Sequence, residues 1–438
     1  MRNTVLQNAA TNVLNNPVAV YFRVDITFTS TATGSAWSLV PYVIDDLTYT
    51  YDYITQCYDS IIVDATVSPK DYALMQDQGQ SLQATVVLTY VTENNTRLSN
   101  PLPIKKKYRV LLMDAYDIRK SVPDVQLYTT PTHKFSFRLI EDTVYRLRHT
   151  KLSFALQTGT MHSAIHALAH GYDVTTMSLI APDNTHTYDH IILPSYIGFS
   201  GSFGYLQSHF GVYMKGMTYY LTNSCLYVYP PYETNPTSDR TITFFQVRTG
   251  KYGGLSCKHC KVGNDYQVII DSQPHSQDLS IAGVENHGTG VSFIHSNALT
   301  DGYTAIDANK GASFNDDIGS IVSLTNARTM DTSVNNIKHI TATENPYPHM
   351  SLIAMHQASL MQVSWPGADP FAVIPNTKVV YCYDRNGTML KKTGIVEHAE
   401  FKLSKMNTTG TMTMFGCNAQ LTLRLAINDT QTISGTAT

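Results

Sequence analysis

Tyr188–Thr234 reads YDHIILPSYIGFSGSFGYLQSHFGVYMKGMTYYLTNSCLYVYPPYET. Phe199, Phe203, Leu206 and Phe210 recur at i, i+4, i+7 and i+11, a spacing that stacks four bulky apolar groups on one helix face. Gly201 and Gly204 fall inside that helix and oppose it, because glycine disfavours a helix interior. A tyrosine-rich hairpin follows: strands Met217–Leu221 and Cys225–Tyr229 around a Thr222-Asn223-Ser224 turn, stopped by Pro230-Pro231. No nucleophile here stands beside a base, and no two carboxylates are paired. On its residues alone the stretch is a helix–hairpin core.

Outward from it, the totals bound the rest. The 438 residues leave room for two to four domains at roughly 100–200 residues each. An apolar fraction of 43% supplies ample core, and 15% charged residues is low against about 25% in ordinary globular chains. The 28 tyrosines against 2 tryptophans fit either a β-rich interior or an amphipathic surface covered by partners. A net charge of −3 argues against a general nucleic-acid-binding surface. The amino terminus, MRNTVLQNAATNVLNN, lacks the apolar core of a secretory signal, and no run of about 18 apolar residues predicts a membrane span. The expectation is a chain folded in a reducing cytosol. Its six cysteines (Cys57, Cys225, Cys257, Cys260, Cys382 and Cys417) are then free thiols, and the sequons at Asn94, Asn386, Asn407 and Asn428 carry no sugar.

Val18–Phe28 alternates apolar and polar residues with a period of two and predicts a strand. Further strands are expected at Ser60–Val67, Leu82–Thr92 and Tyr108–Asp114, with a short helix between the first two, capped by Ser68 and opened by Pro69 and Asp71. From about Asp117 the character changes. Lys134–Ile140 reads as a strand, Asp142–Arg148 as a helical turn or a strand, and Met161–His170 as a helix capped by Thr160 and stopped by Gly171. Asn184–Asp189 is a polar loop, and strands resume at Thr241–Arg248 and Tyr266–Asp271. Ser272–Pro348 is rich in Asn, Asp, Ser, Thr and Gly and reads as long loops with short strands. Leu352, Met355 and Ser359 outline a helical face, and Met361, Val363 and Trp365 a strand up to Pro366.

A second informative stretch, VSWPGADPFAVIPNTKVVYCYDRNGTMLKKTGIVEHAEFKL, runs from Val363 to Leu403. Lys378–Tyr383 and Thr388–Lys391 flank Asp384-Arg385-Asn386-Gly387, and Asn-Gly is the strongest short hairpin signal. Gly394–Leu403 and Gln420–Leu425 supply two more strands. The helix leading into a hairpin that ends in YVYPPYET resembles the baseplate hub proteins of contractile-tailed bacteriophages, which join the tail tube to the central spike. The pattern Pro366-Gly367, Pro375 and Gly394–Glu397 is similar to the same family.

The resemblance implies a fold and a role. The expected fold class is α+β and β-rich, with two tube-like β-barrel or sandwich domains and an inserted α+β segment. Residues 1–115 would form the first tube-like domain, 116–235 the helix–hairpin segment, 236–348 further strands and long loops, and 349–438 the second tube-like domain. The family's hubs are homotrimers, so two similar barrels per chain would offer a pseudo-sixfold ring to the tube and a threefold face to the spike. Expected partners are two more copies, the tail tube protein, the central spike protein and other baseplate proteins. DNA passes through the ring without tight binding, nothing inserts in a membrane, and the location is the virion's tail baseplate after assembly in the host cytoplasm.

Few residues suggest chemistry. His162, His166 and His170 lie on one side of the 161–170 helix, a spacing that can hold a metal, but without the glutamate of an HExxH motif. A solvent-facing or interface-facing stripe is the simpler reading. Cys257-Lys258-His259-Cys260 is a CxxC without a second ligand pair or a thioredoxin-like context, and reads as a turn with two thiols. Glu141-Asp142 and Asp316-Asp317 are adjacent acids outside any catalytic motif, and Lys105-Lys106-Lys107 reads as a soluble strand entrance. The expectation is therefore a structural protein with no catalytic, cofactor-binding or metal-ligating residue and no cofactor. The rivals are a tail-associated cell-wall hydrolase and a hexameric tail tube or adaptor subunit.

Overall fold

The computed structural model describes residues 4–15, 21–30, 38–92, 96–98, 102–113, 132–247 without 152 and 196, 259–270, 276–278, 291–297, 302–307, 320–326, 338–340, 358–385, 388–406, 413–426, 431–432 and single positions between. Helix α1 (Thr4–Asn15) was not foreseen. It packs Leu6, Ala9, Ala10 and Val13 against Phe245, Ile269, Cys382 and Met389. Strand β1 (Tyr21–Ser30) keeps the expected alternation, with Phe22, Val24, Ile26 and Phe28 buried. β2 (Val43–Asp52) is a strand the sequence concealed, and β3 (Ser60–Val67) lies where it was expected. Helix α2 (Pro69–Gln78) begins at its foreseen cap, where the Asp71 amide donates to Ser68 Oγ at 3.1 Å. β4 (Leu82–Val91), β5 (Ile104–Leu112) and β6 (His133–Glu141) follow, and Asp142–His149 resolves as helix α3.

The inserted segment holds α4 (Met161–Gly171), α5 (Phe199–His209) and the hairpin of β7 (Thr218–Thr222) with β8 (Cys225–Tyr229). α4 does not stop at Gly171 in a left-handed cap: Tyr172 caps it, and Asp173 takes the positive φ of 57°. α5 forms despite its two glycines because Phe199, Phe203 and Leu206 are buried in a common core with Tyr172, Tyr219 and Leu226. The hairpin turn is tighter than expected. Thr222 pairs with Cys225, and Asn223 and Ser224 adopt φ of 53° and 59°, the two left-handed residues of a type I′ turn.

β9 (Thr241–Gln246) and β10 (Asp265–Ile270) run parallel, and four short strands between Val291 and Ile340 make a separate antiparallel sheet. β11 (Ala358–Pro366) includes Ser359, which therefore does not continue a helix. β12 (Lys378–Arg385) pairs with β13 (Thr388–Lys405), and β14 (Phe415–Ala426) lies beside β13. Arg385 pairs with Thr388, while the Asn386-Gly387 turn itself lies outside the described residues. The two strands expected at Thr388–Lys391 and Gly394–Leu403 are one strand, with a register shift between Val396 and His398.

Strand pairing closes a circuit. β13–β2–β3–β6–β5–β4–β1–β14 are joined in that order by antiparallel ladders, and β14 returns to β13. The alternate residues facing inward pack one core that includes Phe28, Phe137, Val63, Tyr49, Phe401 and Cys417. A second run of strands leaves the other ends of β13 and β14: β12, β9, β10 and His259–Val262 on one side, β11 and Ser276–Asp278 on the other. The observed class is thus β-rich α+β around one large mixed sheet, with β13 and β14 belonging to both strand runs.

Candidate functional site

The two informative sequence stretches meet at one buried arginine. Arg424, on β14, is 3% exposed. Its Nε donates to Glu397 Oε2 at 2.9 Å, its Nη1 donates to the Met355 carbonyl at 2.8 Å, and its guanidinium lies 4.9 Å from the Tyr232 ring centre. Glu397 belongs to Gly394–Glu397 of the second stretch, and Tyr232 to the PPYET end of the first. Burial pushes the Glu397 carboxyl above the ordinary range, and the adjacent Arg424 opposes that rise.

The backbone around this pair is equally constrained. A Cβ at Gly394 would stand 1.9 Å from the Arg424 carbonyl oxygen, so only glycine lets β13 and β14 approach here. The Tyr53 amide donates to the Glu397 carbonyl at 3.0 Å, and the Tyr229 hydroxyl donates to the Tyr53 carbonyl at 2.9 Å. Arg240 Nη1 donates to the carbonyls of Phe371 and Ala372 at 2.7 and 2.9 Å, tying the Pro366–Pro375 loop to the base of β9. Within that loop Gly367 takes a φ of 70°, and Asp369 accepts from the Phe371 amide at 3.0 Å and the Tyr266 hydroxyl at 3.1 Å. Burial raises the Asp369 carboxyl, and these bonds counter the rise.

A second cluster holds the tip of the hairpin against the closed circuit. Thr222 Oγ1 donates to Asp59 Oδ2 at 2.7 Å, the Leu221 amide donates to the Cys57 carbonyl at 2.8 Å, and the Ser224 amide donates to Glu141 Oε2 at 3.5 Å. Burial raises both carboxyls, and Lys106 lowers both. The adjacent acids Glu141 and Asp142 therefore part company, since Asp142 faces outward and pairs with Arg109 at 2.6 Å. The lysine run divides likewise: Lys105 and Lys107 are exposed, and Lys106 turns inward to 5.3 Å from the Phe371 ring centre. Tyr49, Tyr51, Tyr53 and Tyr220 form a chain of ring contacts inside the molecule. Much of the tyrosine content is interior, which is the β-rich reading of it.

The other flagged residues lie outside both clusters. His162, His166 and His170 stay exposed on α4 along a depression of about 850 Å³. Cys257 and Asp316-Asp317 lie outside the described residues, as do the four sequons. Cys260 is buried, and beside it His259 Nδ1 accepts from Trp365 Nε1 at 3.3 Å, with burial pushing that imidazole down to about 4. Among the described residues no three His, Cys, Asp or Glu side chains are grouped to hold a metal ion, and no helix is long and apolar enough to cross a membrane. Arg424 and Asp59 were missed by the sequence reading. The available signal for Arg424 was a lone charge inside the apolar run LTLRLA.

No family model matches the chain, and no curated protein matches it. Among solved structures it is similar to the tail protein from Neisseria meningitidis MC58, at 9% identity and a TM-score of 0.47, covering 92% of this chain and 96% of that one. It is also similar to chains of the Francisella PdpA-VgrG complex in half-lidded and lidded forms, at 9% and 8% identity and TM-scores of 0.38 and 0.37. This chain covers 63% and 55% of those two chains' length.

Proposed function

We propose that the chain is a structural tail protein: a trimeric baseplate hub that joins the tail tube to the central spike around the DNA channel of a contractile tail. The observation that carries this reading is the junction at Arg424. The two segments by which the sequence resembles hub proteins are far apart in the chain, yet the arginine binds Glu397 of one and packs on Tyr232 of the other.

The strand arrangement supports the same reading. β13 and β14 pass from the closed circuit into the second strand run, and in this proposal the two runs are the two tube-like β domains of one chain. Three such chains would present six assemblies to a hexameric tube and three equivalent faces to a trimeric spike. In this proposal residues 1–115 and 349–438 are the two tube-like domains, 116–235 is the inserted α+β segment and 236–348 supplies further β strands and long loops. Its partners are two further copies, the tube and spike proteins and neighbouring baseplate proteins, in the virion tail. In this reading the partly buried carboxylates Asp59, Glu141, Asp369 and Glu397 hold the packing together, each accepting a hydrogen bond from the chain itself.

Mass measurement on the purified full chain tests this. A species of three 48.7 kDa chains supports the hub, and six chains would favour a tube or adaptor ring. Turnover of cell-wall substrate by the wild-type chain, lost on substitution of a named carboxylate, would replace the structural reading by a hydrolase.

A further inference from the structure

α4 carries histidines on three successive turns, and two of them already have the spacing of a chelate. The ring centres of His162 and His166 lie 4.6 Å apart with planes inclined at 45°. An imidazole nitrogen binds zinc at about 2.0–2.1 Å, which places the ion about 3.2 Å from the ring centre. Two rings held at roughly 90–109° about one ion then have centres roughly 4.5–5.2 Å apart. The observed spacing falls within that interval.

The platform under the rings is rigid. Thr160 Oγ1 accepts from the Ser163 amide while Ser163 Oγ accepts from the Thr160 amide, a reciprocal cap that fixes the first turn. Ala164, Ile165, Leu168 and Ala169 are buried beneath, so the helix cannot roll to separate the two imidazoles. Both rings are exposed and open into the depression that His170 and Met177 also line. Among the described residues no acidic residue lines this depression, and its imidazoles are the strongest metal donors there.

We propose that His162 and His166 together bind one divalent first-row transition ion of imidazole preference, zinc or nickel, with water completing its coordination. The site is a two-imidazole chelate and not a closed structural centre, in keeping with the lack of any three-residue ligand group among the described residues. Each imidazole coordinates through a ring nitrogen that carries no proton, and the ion loses bound water as the nitrogens enter.

The test is calorimetric titration of the full, tag-free chain, stripped with chelator, against Zn²⁺ and Ni²⁺, with Mg²⁺ as the hard-ion control. One Zn²⁺ or Ni²⁺ per chain is expected and no Mg²⁺. His162→Ala and His166→Ala should each weaken binding by at least about tenfold, as loss of one of two ligands requires, while His190→Ala leaves it unchanged. Circular dichroism of each variant confirms that the helix persists, and the His→Gln pair repeats the loss with a longer polar side chain. Absence of stoichiometric binding, or wild-type binding by the His162→Ala/His166→Ala double variant, would overturn the proposal and reduce the pair to a ring contact. Ion binding without cell-wall turnover leaves the hub reading intact.

Discussion

Arg424 is a cation enclosed by one carboxylate, one carbonyl and one aromatic face. Arg424→Met removes the cation and leaves the partly buried Glu397 without its ion partner. Breaking a buried pair from one side costs about 3–5 kcal/mol; with 20% of the Glu397 side chain exposed, a loss of unfolding free energy toward the lower end of that range is expected from denaturant titration. Adding Glu397→Gln to the same variant should restore part of the loss, since the stranded charge is then gone. Asp59 and Glu141 make a pH-dependent contribution of defined sign. Their folded carboxyls are raised above the ordinary values of 3.8 and 4.5, so the folded chain holds protons the unfolded chain has released. Stability from these groups is complete below those ordinary values and is lost as pH rises through the folded ones. Asp59→Asn should therefore flatten the fall in unfolding free energy above pH 4, measured by urea titration at successive pH values. An unchanged slope would show that Asp59 is not held protonated.

At the scale of elements, local chemistry was legible wherever it was self-contained. The period of two in β1, the Ser68-Pro69 start of α2 and the aromatic face of α5 each need only their own residues. α1 escaped because half of its buried face is alanine, which gives Leu6, Ala9, Ala10 and Val13 little contrast against the intervening Asn and Gln. β2 escaped because Asp45 and Asp46 interrupt its apolar pattern. β13 read as two strands because Gly394 resembles a break; in fact glycine is required there by the close approach of β14. Ser224 bears a left-handed φ with a side chain, so Ser224→Gly should stabilise the hairpin by about 1 kcal/mol in thermal unfolding. Thr160→Ala removes the cap of α4 and should cost about 1 kcal/mol, with helix loss localised by amide hydrogen exchange.

For the whole molecule, individual strands and turns were legible in the sequence and the β-rich α+β class followed from the family resemblance, but the closed circuit was not legible. Its closure rests on Tyr21 and Phe22 pairing with Gly416 and Phe415, residues at opposite ends of the chain whose pairing leaves no local trace. The junction at Arg424 was half legible: both stretches that form it drew notice, and the residue that joins them did not. Self-association is the property on which the functional account turns, and sedimentation equilibrium of the full chain measures it directly. The account predicts a trimer, three times 48.7 kDa, over the accessible concentration range. A stable monomer or a hexamer would contradict it.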